Sequence, residues 1–273
     1  MSSNKPDTEH GRKPVQAKNG APIIEVRDLV TRYGETTVLD GISCAVRPGE
    51  IFVIIGGSGS GKTTLLKHMC GLLQPAAGEI VYRGQDITRM DEDELAQMQR
   101  SIGIAFQSSG LFNSMTVGDN VALPLREYGE VDNSLIPDVV RMKLSLVGLA
   151  DAENKLPSEL SGGMRKRAGL ARAIALDPPL VYFDEPSAGI DPIMASGLDD
   201  LILDLNRLLG TTFVIVTHEL DSIRKVAHRI LMLDRGKVIF LGTMEEADHT
   251  DVERVRQFFE RRPDEFIAHR NIA

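Results

Sequence analysis

Apolar residues along this chain are grouped in two ways, as short continuous runs and as positions that recur at helical spacing. The continuous runs are rich in β-branched and aromatic residues, which is typical of strands buried in a parallel sheet. They lie at residues 51–55, 102–106, 180–185 and 213–216. Val140, Leu144 and Val147 recur at helical spacing and predict the apolar face of a helix over 137–149. This alternation of strands and helices predicts an α/β fold.

Shorter signals predict the elements around these runs. Turn residues bound further strands at 23–29, 38–46, 79–83, 230–233 and 238–241. The strand at 23–29 is expected at the edge of its sheet. Asp91, with Glu94 three residues later, predicts a capped helix that ends near Arg100. Further helices are predicted at 64–69, 161–176, 192–209 and 219–227.

The order of these elements predicts three parts. Residues 1–21 are polar and are expected to form a disordered tail. Residues 22–243 are expected to form the α/β domain, and within it residues 108–160 lack a long strand, which predicts an inserted helical subdomain. Residues 244–273 are expected to form a C-terminal helical extension.

The C-terminal extension carries its own helical signals. Thr243 with Glu246 resembles a capping box. Val252, Val255, Phe258 and Phe259 follow at helical spacing. We expect this apolar stripe to pack on the core, and a contact between two copies of the chain is the alternative.

Composition narrows the class of protein. The 273 residues are 42% hydrophobic and 26% charged, an ordinary globular balance, and the net charge of −8 argues against nucleic acid as a bulk partner. Cys44 and Cys70 lack metal-site spacing and are expected to be buried thiols in a reducing compartment. No apolar run approaches the ~18 residues of a membrane span. A cytosolic protein is therefore expected, with any membrane role arising through a partner.

A glycine-rich segment after the strand at 51–55 fits the phosphate-binding pattern G-x-x-x-x-G-K-[ST]. Its glycines allow backbone N–H groups to point at phosphate oxygens, and the following helix adds the positive end of its dipole. Lys62 is expected to reach the β- and γ-phosphates, and Thr63 to hold Mg²⁺. The predicted nucleotide-binding residues are Gly56, Gly57, Ser58, Gly59, Ser60, Gly61, Lys62, Thr63 and Thr64.

Two further strands end in residues suited to phosphoryl chemistry. The strand at 180–185 ends in Asp184, predicted to hold Mg²⁺, and Glu185, predicted to polarise a water molecule. N-capping of a helix by one of these two acids is the alternative. His218 follows the strand at 213–216, where ligands of such sheets bind, and is a candidate γ-phosphate contact. A structural histidine is the alternative.

Two other segments carry candidate ligand contacts. Tyr33 would stack on an adenine ring, and a tyrosine half-buried at a strand end is an equally good interpretation. Ser161, Gly162 and Gly163 open a helix whose first N–H groups form a second candidate anion site. The basic residues at 165–167 and Arg172 are for the most part expected to form a solvated helix face.

Taken together, the phosphate loop, Gln107, the Leu160–Met164 segment, Asp184–Glu185, Asp191 and His218 resemble the ATP-binding subunits of ABC (ATP-binding cassette) transporters. The resemblance covers residues 22–243 and implies a RecA-like P-loop NTPase core with an antiparallel β subdomain and a helical insert. It implies that two chains dimerise head to tail around two ATP molecules, with Mg²⁺.

The resemblance also implies roles for single residues. Gln107 would sense Mg²⁺ and the attacking water and couple to a permease, and it joins Lys62, Glu185 and His218 as a catalytic candidate. The family's signature would be Ser161, Gly162, Gly163 and Met164; Asp191 would lie in the turn that follows the acids, and Tyr33 would be the adenine-stacking aromatic. Met164, Gly57 and Ile190 depart from the family's more usual glutamine, proline and leucine.

Within this family the segments 109–112, 120–127 and 157–164 look like the Mla-type ATPases. That likeness implies a homodimer on the inner face of the bacterial inner membrane that powers phospholipid movement through a permease. An MCE-domain lipid-binding protein, and in some systems a STAS-domain protein, are the further implied partners. The alternatives are an importer ATPase for a small polar solute or metal, a soluble ABC ATPase outside transport, and a nucleotide-gated binding module that does not hydrolyse.

Overall fold

The computed structural model describes residues 20–128 and 131–262. The predicted tail at 1–21, apart from its last two residues, and the end of the predicted C-terminal extension lie outside the described residues. The strands are β1 Ile24–Tyr33, β2 Thr36–Val46, β3 Ile51–Gly56, β4 Ala77–Tyr82, β5 Gln85–Asp86, β6 Ile102–Ala105, β7 Leu180–Asp184, β8 Thr212–Val216, β9 Arg229–Asp234 and β10 Lys237–Thr243. The helices are α1 Lys62–Met69, α2 Glu92–Arg100, α3 Val117–Tyr128, α4 Ile136–Leu146, α5 Gly162–Ala173, α6 Pro192–Leu209, α7 Leu220–Val226, α8 Met244–Asp248 and α9 Glu253–Phe259.

The larger sheet has six strands in the order β10-β9-β3-β8-β7-β6. All neighbouring pairs are parallel except β9 with β10. Strands β3, β7 and β8 are buried along their whole length, which is why they read as continuous apolar runs. Val216 of β8 lies opposite Ile54 on one side and Asp184 on the other, so the three strands end side by side. This edge is where a parallel sheet binds its ligands.

The smaller sheet is antiparallel, with four strands in the order β2-β1-β4-β5. The prediction that the first strand is an edge strand is wrong, because β1 pairs with β2 on one side and with β4 on the other. Side-chain polarity along a strand reports which face is buried, whereas the edge position depends on which strands supply main-chain hydrogen bonds. The sequence of β1 therefore could not reveal its second neighbour.

Helices α3 and α4 lie between β6 and α5 in the chain, and the described residues of this stretch contain no strand. Val140, Leu144 and Val147 are buried, as the helical spacing predicts. Pro124 lies within α3, and at the start of this helix the main-chain N–H of Asp119 donates a hydrogen bond to Thr116 Oγ1 at 3.0 Å. This helical stretch packs with α5 into the main core, the hydrophobic cluster that also contains Ile51, Val53 and Ile55 of β3.

The C-terminal segment forms two short helices, α8 and α9, and Val252 of the predicted apolar stripe is 37% exposed just before α9. Thr243 and Glu246 form the predicted capping box of α8. In α9, Val255 is fully buried, while Phe258 and Phe259 pack against the main core. The apolar stripe is therefore used for core packing within the chain. Within residues 20–128 and 131–262, none of the helices combines the length and the apolar character that crossing a bilayer requires.

Candidate nucleotide-binding and catalytic site

The phosphate loop is fixed by close backbone packing at two of its glycines. Gly56, at the end of β3, has a φ of 146°, and a Cβ there would lie 2.2 Å from the main-chain oxygen of Leu233. Gly61 has a φ of 101°, and a Cβ there would lie 2.5 Å from Leu39 Cδ2. L-residues rarely adopt such φ values, so both positions require glycine. The space around Gly57, by contrast, is open.

The loop delivers a lysine and an uncapped helix start to the same place. Gly61 caps α1 without any side-chain hydrogen bond, so the first N–H groups of α1 remain available to an anion. Lys62 Nζ donates to the main-chain oxygens of Gly56 and Gly57, at 2.9 Å each. Burial lowers the pKa of Lys62, and the charges of Glu185 and Asp184 oppose that shift. The Lys62 ammonium group therefore lies on the phosphate loop, close enough to Glu185 and Asp184 for their charges to affect its pKa.

The two acids at the end of β7 occupy different environments. Asp184 is buried, and burial, reinforced by the charge of Glu185, raises its pKa. Glu185 has a φ of 50°, in the left-handed region, and its main-chain N–H donates to Val216 O at 2.8 Å. The next helix, α6, is capped by Asp191. The alternative that one of the two acids caps a helix is therefore excluded.

His218 faces Glu185 from the end of the neighbouring strand β8. Its Nδ1 lies 2.9 Å from Glu185 Oε1, with 57% of the histidine side chain exposed and 13% of the glutamate side chain. The histidine is thus not a buried structural residue. The pair joins a carboxylate suited to accepting a proton with an exposed ring suited to contacting a phosphate.

Four buried side-chain oxygens in the described part of the chain have no hydrogen-bond partner: Ser60 Oγ, Asp184 Oδ1, Glu185 Oε2 and Ser187 Oγ. All four belong to the phosphate loop or to the end of β7. Buried polar atoms are normally paired, so this concentration indicates a place that a polar ligand completes. The described residues contain no cluster of three His, Cys, Asp or Glu side chains that would hold a metal alone. Asp184 with Thr63 suits Mg²⁺, which binds through few protein ligands and substrate phosphates.

A cavity of about 630 Å³ lies at the carboxyl edge of the sheet, and Thr63 and Asp184 are not among its wall residues. Gly56, Gly57, Lys62, Glu185 and His218 contribute to its wall. A cavity of this size holds a ligand of several hundred daltons. The structure therefore brings together the phosphate loop, the proposed base and the histidine, which the sequence placed on three separate strands.

Four residues of this wall were missed by the sequence analysis. Glu219 and Leu220 directly follow His218, whereas Phe258 of α9 and Arg261, just beyond its end, come from the C-terminal segment. The helical spacing around Phe258 indicated a buried stripe but gave no sign of which part of the core it covers. Only the packing of α9 decides that the chain's C-terminal segment borders the phosphate loop.

The second glycine-rich helix start is not part of this cavity. Ser161 is exposed, caps α5 and accepts a hydrogen bond from the N–H of Met164 at 3.3 Å. Positions for a Cβ on Gly162 and Gly163 would lie 3.1 Å from Ile190 Cγ2 and 2.6 Å from Met194 Cε. The glycines thus allow α5 to approach the segment around Asp191, the N-cap of α6. This is a packing role that the sequence analysis had not considered.

The expectation of a solvated face on α5 is wrong for Lys166, Arg167 and Arg172, which are buried or partly buried, whereas Arg165 is exposed. Each donates hydrogen bonds to main-chain oxygens of other segments or of its own helix start. Arg165 reaches Leu160, Arg167 reaches Val147 and Gly197, and Arg172 reaches Ser109 and Gly110. Lys166 is only 6% exposed. Charge in the sequence did not show that main-chain carbonyl groups lie within reach of these side chains.

Gln107 and Tyr33 lie outside the walls of the cavity. Gln107 is exposed and lies two residues beyond Ala105, the last residue of edge strand β6. Tyr33 ends β1 and is 55% exposed, so both interpretations, adenine stacking and a half-buried tyrosine at a strand end, fit its position. Their predicted ligand contacts remain predictions.

Comparison with known proteins matches this geometry to a family. Residues 39–188 match the family described as ABC transporter. The intermembrane phospholipid transport system ATP-binding protein MlaF of Haemophilus influenzae is 44% identical over 236 residues, which are 86% of this chain and 89% of that protein. The chain belongs to the ABC transporter family. It is an ABC-type ATP hydrolase, and ABC cassettes dimerise and work with a membrane permease.

Other relatives support the same family and fold. The probable ribonucleotide transport ATP-binding protein mkl of Mycobacterium tuberculosis is 41% identical over 249 residues, 90% of this chain and 69% of that protein. The dimeric ABC transporter cassette MJ0796 superposes with a TM-score of 0.75 at 30% identity, covering 81% of this chain and 98% of that one. A further structure of MJ0796 is a dimeric post-hydrolysis state bound to ADP and Pi. The predicted ABC ATPase fold is confirmed.

Proposed function

We propose that this ABC ATPase hydrolyses ATP at the cavity bordered by Lys62, Glu185 and His218 and powers a permease that moves phospholipid across the bacterial cell envelope. The observation that carries the catalytic part is the Glu185–His218 contact at 2.9 Å, beside the phosphate loop. Since Glu185 Oε2 has no partner, one carboxylate oxygen is available to a water molecule.

The chain's residues divide the chemistry of hydrolysis. Glu185 accepts a proton from the attacking water as the new oxygen–phosphorus bond forms and the bond to the leaving ADP oxygen breaks. Lys62 and the loop N–H groups stabilise the negative charge on the transferring phosphoryl group. His218 contacts the γ-phosphate. Thr63, Asp184 and Gln107 would hold Mg²⁺, and the bound ion would neutralise phosphate charge.

The exposed start of α5 supports a dimeric site. We propose that Ser161, Gly162, Gly163 and Met164 of one chain close over the ATP held by the phosphate loop of a second chain, with Asp191 beside them. In its own chain, Ser161 does not line the nucleotide cavity. Two copies arranged head to tail would therefore complete both sites. The solved MJ0796 cassette is described as dimeric.

A groove beside Gln107 suits a permease. It has a volume of about 550 Å³ and lies between edge strand β6 and helix α3, with Phe106, Phe112 and Pro124 in its walls. Phe112 is 52% exposed, an apolar surface that a membrane protein's cytoplasmic loop would cover. Binding there would place the chain on the inner face of the inner membrane.

The proposed cargo rests on the relatives' names. The MlaF proteins of Haemophilus influenzae and Escherichia coli, at 44% and 42% identity, are named for intermembrane phospholipid transport. We propose phospholipid as the cargo, with an MCE-domain protein and a STAS-domain protein as further partners. The mkl relative is named for probable ribonucleotide transport, which makes a nucleotide cargo the second candidate.

Two experiments test these proposals. The first is to purify the tagged chain from its native membrane in mild detergent and to identify co-purifying proteins and lipids by mass spectrometry. A permease, an MCE-domain protein and bound phospholipid support the proposal, whereas a permease with a soluble solute-binding protein would exclude the phospholipid cargo.

The second experiment is ATP hydrolysis by Glu185→Gln. This variant should bind ATP, accumulate as a closed dimer and turn over at least 100-fold more slowly, because the amide cannot accept the proton. Glu92→Gln is the matched control, since Glu92 is an exposed glutamate on α2 and lies outside the walls of the cavity. Wild-type turnover in Glu185→Gln would remove Glu185 from its proposed role.

A further inference from the structure

Lys166 is a buried lysine in the middle of the site's scaffold. Lys166 lies on helix α5, and its Nζ donates hydrogen bonds to the main-chain oxygens of Gln107 at 2.5 Å and of Glu185 at 2.8 Å. Burying an ammonium group is unfavourable unless its donors are satisfied. The two hydrogen bonds therefore stabilise the buried ammonium group and at the same time keep the Gln107 and Glu185 carbonyl oxygens close to each other.

One of the two residues whose main chain Lys166 contacts, Glu185, has a strained backbone conformation. Glu185 has a φ of 50°, and left-handed backbone at a residue other than glycine persists only where its surroundings fix it. The Glu185 N–H is fixed by Val216 O at 2.8 Å. Its oxygen accepts from Lys166 Nζ and, more weakly at 3.3 Å, from the N–H of Ala188. Lys166 thus supplies the stronger contact on the carbonyl side.

The other residue whose main chain Lys166 contacts, Gln107, belongs to a longer contact between α5 and residues 107–110. Lys166, Gly169 and Arg172 recur every three residues and so share one face of α5. A Cβ on Gly169 would lie 3.0 Å from Ser109 O, and Arg172 donates to Gly110 O at 2.7 Å. The segment that contains Gln107 is therefore attached to α5 along two turns.

We propose that Lys166 is a positioning residue for ATP hydrolysis, which ties the main chain of Glu185 to that of Gln107 and so keeps the Glu185 carboxylate in the nucleotide cavity. The proposal rests on the proposed role of Glu185 as the base. It also gives a physical route by which a displacement of the Gln107 segment reaches the catalytic carboxylate, since both carbonyl groups share one ammonium.

The test compares three variants of the full-length chain. Lys166→Met removes the donors but keeps the length of the stem, and Lys166→Arg keeps donors at the same position. Lys143→Met is the matched control, because Lys143 is 1% exposed and pairs with Asp177, away from the acids. Steady-state ATP hydrolysis, binding of a fluorescent ATP analogue and thermal unfolding are measured for each.

Lys166→Met should lower kcat at least tenfold while the affinity for the ATP analogue changes less than twofold. Lys166→Arg should recover most of that loss, and Lys143→Met should retain kcat within twofold whatever its effect on unfolding. Wild-type kcat in Lys166→Met, or equal rates in the Met and Arg variants, would overturn the proposal. If Lys166→Met does not fold, Lys166→Leu, which also lacks donors, is judged by the same kcat and affinity limits.

Glu185→Gln, assayed in parallel, keeps the two proposals distinguishable. Unchanged turnover in Glu185→Gln removes the base on which the role of Lys166 depends. Loss of turnover in Glu185→Gln, together with normal turnover in Lys166→Met, overturns the positioning role alone.

Discussion

Helices α1 and α5 both begin with glycine-rich segments, yet their starts are built differently. Gly61 caps α1 with a φ of 101° and no side-chain acceptor, whereas Ser161 caps α5 with its own hydroxyl. The first start faces a cavity with unpartnered oxygens and a lysine, and the second is exposed and already capped. A glycine-rich helix start therefore predicts an anion site in both cases, but within one chain only the start of α1 borders a cavity.

The largest expected effect on turnover comes from removing the charge of Lys62 at the start of α1. Lys62→Ala should lower turnover at least 1000-fold and weaken nucleotide binding, because the cation at the phosphates and its bonds to Gly56 and Gly57 are lost. Turnover and titration with a fluorescent ATP analogue measure both. Lys237→Ala, at an exposed lysine paired with Asp40, is the control. Unchanged affinity in Lys62→Ala would contradict the assignment of the loop.

The next largest effect is a difference in stability between alanine substitutions at two neighbouring glycines of the phosphate loop. Gly56→Ala would place a Cβ 2.2 Å from Leu233 O, a main-chain atom that cannot move aside, so we expect a loss of stability of about 3 kcal/mol. Gly57→Ala meets open space and should change stability by less than about 1 kcal/mol. Urea unfolding of both variants measures the difference, and equal midpoints would show that the loop backbone is free to adjust.

The exposed start is tested by removing its cap. Ser161→Ala should destabilise the chain by about 1 kcal/mol, because the N–H of Met164 loses its acceptor. If Ser161 also completes the site of a second chain, turnover should fall about tenfold while nucleotide affinity of the single chain is retained. Asp91→Ala removes the cap of α2 and should match the loss of stability without the loss of turnover. Identical turnover in the two variants would leave α5 with a structural cap only.

The smallest effect concerns a buried acid outside both starts. Asp199 accepts a hydrogen bond from Ser222 Oγ at 2.9 Å, and burial raises its pKa from 3.8 to about 6. Because the folded-state pKa exceeds the unfolded one, the folded chain binds this proton more tightly, and the stabilisation is lost as pH rises through about 6.

Asp199→Asn removes this titration. The gain in unfolding free energy over wild type should therefore be larger at pH 7.5 than at pH 5, by about 1 kcal/mol. Chemical unfolding at the two pH values measures it. A gain that is independent of pH would show that Asp199 has an ordinary pKa.

Much of the fold and most of the candidate site could be predicted from local sequence. The strands β3, β7 and β8 are buried on both faces, so their apolar runs mark them directly. The capping box at Asp91 is local as well, since its hydrogen bonds join residues three positions apart. The phosphate loop is recognisable because a tight turn around phosphate demands glycine and lysine at fixed spacing.

Tertiary structure decided whatever depends on neighbours distant in the chain. It made β1 an interior strand, turned the basic residues of α5 inward to main-chain oxygens, and placed Arg261 beside the phosphate loop. Side-chain periodicity shows which face of one element is buried. It does not show that the carbonyl group of Gln107, 59 residues away, accepts a hydrogen bond from Lys166. For this reason the sequence by itself determined the elements and the chemistry of the site, and only packing decided which groups hold one another in place.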